Sequence, residues 1–279
     1  LETKAQPVKL DSREYKFLVK AHFFANPRDA VIDFWSELKA RHFGFVRRFE
    51  DAKKPEQSRR RDVWYLDTAD RQLRSKHYIL RIRQKYDGKS PRKHYEFGCK
   101  FRHHLEKKAA IADVSVAEGL PEDMSFEEDL ILTRDREFIS LFSLRNRIKN
   151  CHKSFPEDLA AAGRVFPALL QLGLDGKTPI SAVNQFIMKE YKYTPGLVVV
   201  EGEIVIEPTI SVWYEKGRKM PLIAEFSFKH PINGLSEDAA LQRMAMGIFQ
   251  SSYEIMDGFI ADGTSKTAYT YGLQKELAF

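Results

Sequence analysis

The chain is poor in the features that would place it quickly. Two cysteines among 279 residues, Cys99 and Cys151, cannot make a disulfide framework. No run of about eighteen apolar residues occurs, so no membrane span is expected. No secretory h-region is visible, and cytoplasm is the default expectation. The chain opens on Leu1 rather than Met, which leaves room for a removed upstream leader. There is no sequence repeat and no long block of one charge. Lys and Arg number 45 against 39 Asp and Glu, and the signs are interleaved, so the net +6 leans only weakly toward anionic ligands. It makes no specific case for nucleic acid. The length suffices for one large or two small domains with a sizeable core.

What is present concentrates between Asp62 and Arg83, D-V-W-Y-L-D-T-A-D-R-Q-L-R-S-K-H-Y-I-L-R-I-R. Val63, Tyr65 and Asp67 alternate with Trp64 and Leu66 before Thr68-Ala69-Asp70 breaks the run. A second strand from Tyr78 to Lys85 sets Arg81, Arg83 and Lys85 on one face and Leu80, Ile82 and Gln84 on the other. Like charges at i and i+2, roughly 6.6–7 Å apart, repel by about 2.4 kcal/mol at an effective dielectric near 20 and about 0.6 in water. Such a stripe costs little on a wet face, the usual place for one. On an enclosed face it requires an anion.

The same design recurs along the chain. In Glu14 to Ala21, Ser12, Glu14, Lys16 and Leu18 share one parity. From His94 to His103, Gly98, Lys100 and Arg102 oppose Phe97, Cys99 and Phe101, and a further strand is expected over Ile111–Val116. His103-His104 reads as a strand end rather than a metal site. Asn26-Pro27 opens a helix whose apolar residues are Val31, Ile32, Phe34, Trp35 and Leu38. Glu50 to Arg61 reads as a polar loop ending in the solvated run Arg59-Arg60-Arg61. Glu118 to Leu174 has helical texture: Ser125-Phe126-Glu127-Glu128 offers a capping box, Phe138, Leu141, Phe142 and Leu144 have helical spacing, and Pro156 starts a helix through Leu172. Arg145, Arg147, Lys149 and Lys153 could then serve a second anion-binding edge, but read first as exposed helix charges. Strands return at Phe186–Tyr193, Leu197–Glu207, Ile210–Glu215 and Leu222–Lys229, with Lys216-Gly217 as a hairpin turn. Glu225, Ser227 and Lys229 share a face of the last. Ser236 is read as the cap of a helix running to about Ile260.

Y-L-D-T, then a leucine, then L-R-I-R resembles the signature of the CYTH superfamily, the triphosphate tunnel enzymes, in its usual order Y-F-D-T…L…L-R-I-R. The likeness extends from Glu14 to about Ile260, and is loose between Glu118 and Asn184. It implies an α+β fold, an antiparallel closed β barrel covered by helices, as one domain over 1–279 with a helical insertion at about 118–184. It carries over Glu14, Lys16, Arg81, Arg83 and Lys100 as the catalytic set. Lys16, Arg81, Arg83, Lys85, Lys100, Arg102 and Lys229 become the substrate-binding set, and Glu14, Glu215 and Glu225 the ligands of Mg²⁺ or Mn²⁺. Arginine suits bidentate phosphate contacts, and carboxylates suit a hard cation. The implied activity is metal-dependent hydrolysis of an inorganic or organic triphosphate or polyphosphate. The superfamily's opening Glu-x-Glu and closing Glu-x-Glu each lose an acid here, to Ser12 and Ser227. A phosphate- or polyphosphate-binding domain without turnover therefore stands beside the hydrolase, as does a polyphosphate polymerase-like member. Outside the family stands a barrel carrier whose arginines hold a carboxylate ligand.

Overall fold

Period-two alternation dominates the structure, a computed structural model that describes residues 7–55, 58–151, 155–232, 239–263 and 265–272. In chain order its elements are β1 (Ser12–Lys20), α1 (Pro27–Ala40), β2 (Val46–Asp51), β3 (Arg59–Asp67), α2 (Gln72–Ser75), β4 (Tyr78–Asp87), β5 (Ser90–His103), α3 (Glu106–Ala110), β6 (Ser125–Leu132) and β7 (Phe138–Cys151). There follow α4 (Leu159–Gly163), β8 (Ser181–Ala182), β9 (Met188–Tyr193), β10 (Gly196–Val200), β11 (Ile204–Ile206), β12 (Thr209–Glu215), β13 (Ile223–Pro231), α5 (Ala239–Ile255) and α6 (Lys266–Tyr271). The main sheet is bonded in the order β4-β5-β7-β6-β1-β13-β12-β9-β3, β3 pairs back to β4, and β8 is appended to β3. The ladder therefore closes into a barrel. Its nine strands are an odd number, and strict antiparallel alternation around a ring needs an even one. The barrel is accordingly mixed, which corrects the purely antiparallel expectation. A separate small sheet runs β11-β10-β2. Among the described residues no helix is long and apolar enough to cross a membrane.

The chain divides into two compact units, one comprising residues 1–11, 61–128 and 140–188, the other 12–60, 129–139 and 189–279. In the first, Leu80, Ile82, Phe97, Cys99 and Leu144 form a buried apolar cluster with Ala109 and Ala110 of α3 and Leu159 and Ala162 of α4. Cys99 thus packs under helices as expected, and burial pushes its thiol up, out of the range of a nucleophile. The Asp-Thr of Y-L-D-T builds the turn after β3. Asp67 Oδ1 accepts from the backbone N–H of Thr68 at 2.8 Å and Leu73 at 2.9 Å, and Oδ2 from that of Arg74 at 3.0 Å. Thr68 Oγ1 accepts from Gln72 N at 2.8 Å. Together they satisfy the otherwise open donors of α2.

In the second unit, Tyr15, Phe17 and Val19 of β1 meet Phe226 and Phe228 of β13 under α1 and α5. Phe17 stacks on Phe226 with centroids 5.0 Å apart. α1 starts at Pro27 and buries Val31, Phe34, Trp35 and Leu38. Ile32, expected in that stripe, is instead exposed. Gly196 is required where β10 crosses α1, because a Cβ there would lie 2.4 Å from both Glu50 O and the Trp35 ring.

Several sequence expectations change. The helical insertion is largely the hairpin β6–β7. Thr133 N donates to Glu137 O and Arg136 N to Thr133 O, both at 3.0 Å, and Arg136 takes a positive φ of 62°. Phe142, Leu144 and Ile148 alternate with Ser143, Arg145 and Arg147, so a strand uses the apolar residues that a helical spacing also accommodates. Of the Pro156–Leu172 helix only α4 and a 3-10 turn over Pro167–Gln171 form. Ile111–Val116 is not a strand: Asp113 Oδ1 accepts from Ser115 N at 2.9 Å, an Asx turn that breaks it. Arg59–Arg61 begin β3 rather than ending a loop. The strand expected over Leu197–Glu207 splits into β10 and β11 at Glu201–Glu203, where Gly202 has φ 74°. The cap Ser236, like Lys153, lies outside the described residues.

β5 ends at His103, which is 4 % exposed and stacks with His104 and His77 at 4.3 and 4.7 Å. Burial, then the like charges of His104, His77 and Lys108, hold its pKa down at about 4. The unfolded imidazole binds a proton near its ordinary value of about 6.5 while the folded one does not, so stability falls as pH drops from there toward 4. Thermal melts across that range should show this loss, with a shallower slope in His103→Gln; equal slopes would contradict it.

Candidate functional site: a basic sheet face and two lysine-bridged carboxylate sets

Directly opposed residues on neighbouring antiparallel strands point to one face. In the first unit β4 sets Arg81 opposite Gly98 and Arg83 opposite Glu96 of β5, and β7 sets Arg145 opposite Lys100 and Arg147 opposite Gly98. Arg81, Arg83, Lys100, Arg145 and Arg147 thus share the face away from the Phe97–Cys99 cluster. Arg102 belongs to it as well, buried, with Nε 3.1 Å from Ser143 Oγ. Gly98 leaves a notch at its centre between Arg81 and Arg147.

The counter-charges are unevenly spread. Arg145 reaches Glu127 at 3.1 Å and donates to Ser125 Oγ at 2.6 Å. Arg147 reaches Asp123 at 2.7 Å and shares it with Lys149 at 2.6 Å. Glu96 takes Lys85 at 2.5 Å. Burial works to raise the pKa of Glu96, but Lys85, Arg83 and Arg147 outweigh it and hold the carboxyl low. Arg81 differs: among the described residues it makes no ion pair, and its side-chain partner is the Tyr65 hydroxyl. Loss of water, and the like charges of Arg61 and Arg145, push its guanidinium pKa down while Tyr65 opposes them. Its surroundings therefore disfavour the charged form.

In the second unit the polar face is held by two lysines. Lys16, buried on β1, places Nζ 2.7 Å from Glu14 and 2.9 Å from Asp129. Lys266 of α6 reaches Glu190 at 3.0 Å and Glu225 at 2.9 Å, with its ammonium 5.1 Å from the Trp213 ring centroid. Trp213 Nε1 also donates to Glu190 at 2.9 Å. Ser227, opposite Lys16 in the ladder, has its carbonyl bonded by Thr209 Oγ1 at 3.0 Å.

The expected metal ligands therefore separate. Glu225 is taken by Lys266. Glu215 sits at the end of β12, 30 % exposed, beside Arg218 at 3.3 Å. Glu14 instead shares the Lys16 ammonium with Asp129 of β6. Two hard oxygen donors of this kind suit Mg²⁺ or Mn²⁺, although Lys16 already bridges them. Of the remaining residues expected to bind substrate, Lys85 is half-exposed on Glu96 and Lys229 is exposed opposite Glu14. Sequence reasoning missed Glu127, Asp129, Glu190, Lys266 and the roles of Arg145 and Arg147. The alternation Ser143-Arg145-Arg147-Lys149 was the available signal for the last two.

No known family and no curated protein matches the chain. Solved structures do. A candidate adenylyl cyclase from Hippeastrum, described as having a dominant triphosphatase activity, is 11% identical over 94% of this chain and 96% of its own, with a TM-score of 0.45. A candidate adenylate cyclase from Bacillus halodurans is 15% identical over 94% and 97%, at 0.43. One from Vibrio parahaemolyticus is 15% identical over 88% and 92%, at 0.32. Scores and identities at this level carry no functional weight.

Removing Lys266 would strand two buried carboxylates, and truncating one partner of a buried pair costs about 3–5 kcal/mol. Lys266→Met should destabilise the protein by roughly that amount in urea titration, and adding Glu190→Gln with Glu225→Gln should recover part of it. Unchanged stability in Lys266→Met would refute the bridge.

Proposed function

We propose that the chain is a CYTH-type protein that binds a triphosphate or polyphosphate anion on the basic face of its first unit and hydrolyses it with a divalent cation. The observation that carries this reading is Arg81, partly buried, beside the like charges of Arg61 and Arg145, and without a carboxylate among the described residues. Arg83 and Lys100 stand on its face in the ladder, so one chain of phosphate oxygens can engage three cations in turn. Guanidinium groups bind such oxygens in bidentate fashion and hold the anion's orientation. Arg145 and Arg147, partly neutralised by Glu127 and Asp123, supply the flanking field.

Glu14 and Asp129 are the residues that would hold Mg²⁺ or Mn²⁺. When bound, that ion would supply charge neutralisation on phosphoryl oxygens. Lys16, bridging Glu14 and Asp129, would compete with it for the two carboxylates. Lys85, more exposed, would meet the outer parts of a longer substrate.

A second reading has its own observation. Lysine ammonium groups already occupy Glu14–Asp129 and Glu190–Glu225, so the chain carries cations of its own at its acidic sets. A protein built in this way could hold polyphosphate without turning it over.

Calorimetry with tripolyphosphate tests binding. Arg81→Gln should weaken it by about 1.5–3 kcal/mol, the scale of charge-assisted hydrogen bonds. Unchanged affinity would sink the assignment of the basic face. Phosphate release from tripolyphosphate with Mg²⁺ or Mn²⁺, abolished by chelator, supports the hydrolase; binding without release supports the receptor.

A further inference from the structure

A cationic cavity lies within the second unit. A cavity of about 350 Å³ opens between the first turn of α1 and the outer faces of β9 and β12. Four of its nine lining residues are cations, Arg28, Lys189, Arg218 and Lys219, and none is an acid. In a chain whose acids and bases are nearly balanced, that is a marked segregation of charge. Arg218 leans on Glu215 at 3.3 Å, outside the lining. Arg28, Lys189 and Lys219 make no ion pair to a described carboxylate. Strand alternation separates this cavity from the lysine-bridged network. Glu190 turns to Trp213 and Lys266, so its neighbours Lys189 and Tyr191 turn the other way.

The rest of the wall is aromatic. Tyr191 and Tyr214 meet edge to face with centroids 5.3 Å apart. Burial pushes the Tyr214 hydroxyl up to about 12, with Tyr193 and Tyr191 adding to it, so the phenol remains a hydrogen-bond donor at any ordinary pH. Tyr193 is likewise raised by burial, against the opposing charge of Arg28 close by.

We infer that this cavity binds a small phosphomonoester, its phosphate among Arg28, Lys189, Arg218 and Lys219 and its organic ring on Tyr191 and Tyr214. Charge and size select the class. A phosphomonoester carries about −1.5 to −2 and three acceptor oxygens, enough to engage several cations at once; a carboxylate or sulfate monoester carries a single charge. A volume near the lower end of the roughly 300–1,000 Å³ of ligand cavities suits a molecule of sugar-phosphate size better than a nucleoside triphosphate. Phenol rings offer flat apolar surface for a ring's C–H face and hydroxyls for its polar rim. The site is independent of the polyphosphate face, and its loss would leave that reading intact.

Calorimetric titration of the full chain with glucose 6-phosphate, inorganic phosphate and glucose 6-sulfate tests it. Glucose 6-phosphate should saturate, and bind at least tenfold more tightly than the sulfate and more tightly than inorganic phosphate. Arg28→Ala with Lys189→Ala should weaken it at least tenfold, and Lys219→Ala, on an exposed turn, should weaken it severalfold without touching the fold. Tyr191→Ala should erase the preference over inorganic phosphate. Tripolyphosphate binding through Arg81 should persist in all of these variants. No saturation by 10 mM, equal affinity for all three anions, or indifference to the Arg28/Lys189 pair would each overturn the assignment.

Discussion

A charge withdrawn from water has to find its opposite within a few ångströms, and much of this molecule's polar architecture follows from that requirement. The outer faces of β1, β4, β5, β7 and β13 are committed to apolar cores. Their alternate residues are thereby collected on the other face whether or not they suit one another. Lys16 is tolerated there because it touches both Glu14 and Asp129, and Lys266 because it touches Glu190 and Glu225. Arg145 and Arg147 are tolerated through Glu127 and Asp123. Arg81 is the exception: among the described residues it has no carboxylate partner.

Two chemistries of neutralisation coexist in one sheet. On the first unit's face the excess is positive. On the second unit's face four carboxylates, Glu14, Asp129, Glu190 and Glu225, share two lysine ammonium groups fixed by the fold. Two more carboxylates in place of Ser12 and Ser227 would deepen that excess of acid, whereas Ser227 is content with a neutral partner in Thr209.

Legibility from sequence followed the strength of the alternation. β1, β4, β5 and β13 were readable because charged and aromatic residues alternate without a fault, and the faces of Arg81, Lys100 and Phe97 came with them. β6 and β7 were not, because Ser125-x-x-Glu128 imitates a helix cap and Leu141 beside Phe142 satisfies a helical spacing. The hidden arbiter was the turn at Thr133–Glu137, whose Arg136 takes a left-handed conformation with no glycine to announce it. Glu127 and Asp129 were lost with that strand. Lys266 was beyond reach for another reason: its partners lie 76 and 41 positions away, and no local pattern reports a contact of that kind.

The ladder between β1 and β13 joins Ser12 to Pro231 and Lys20 to Ile223. A ribosome delivers β13 long after β1. In the interval, β1 must wait with one hydrogen-bonding edge and a row of aromatics, Tyr15 and Phe17, lacking their stacking partners. Pairings across such sequence distances form slowly and leave strand edges open to other chains. The barrel's closure is thus a burden on biogenesis, one that falls on whatever guards nascent chains until β13 has emerged.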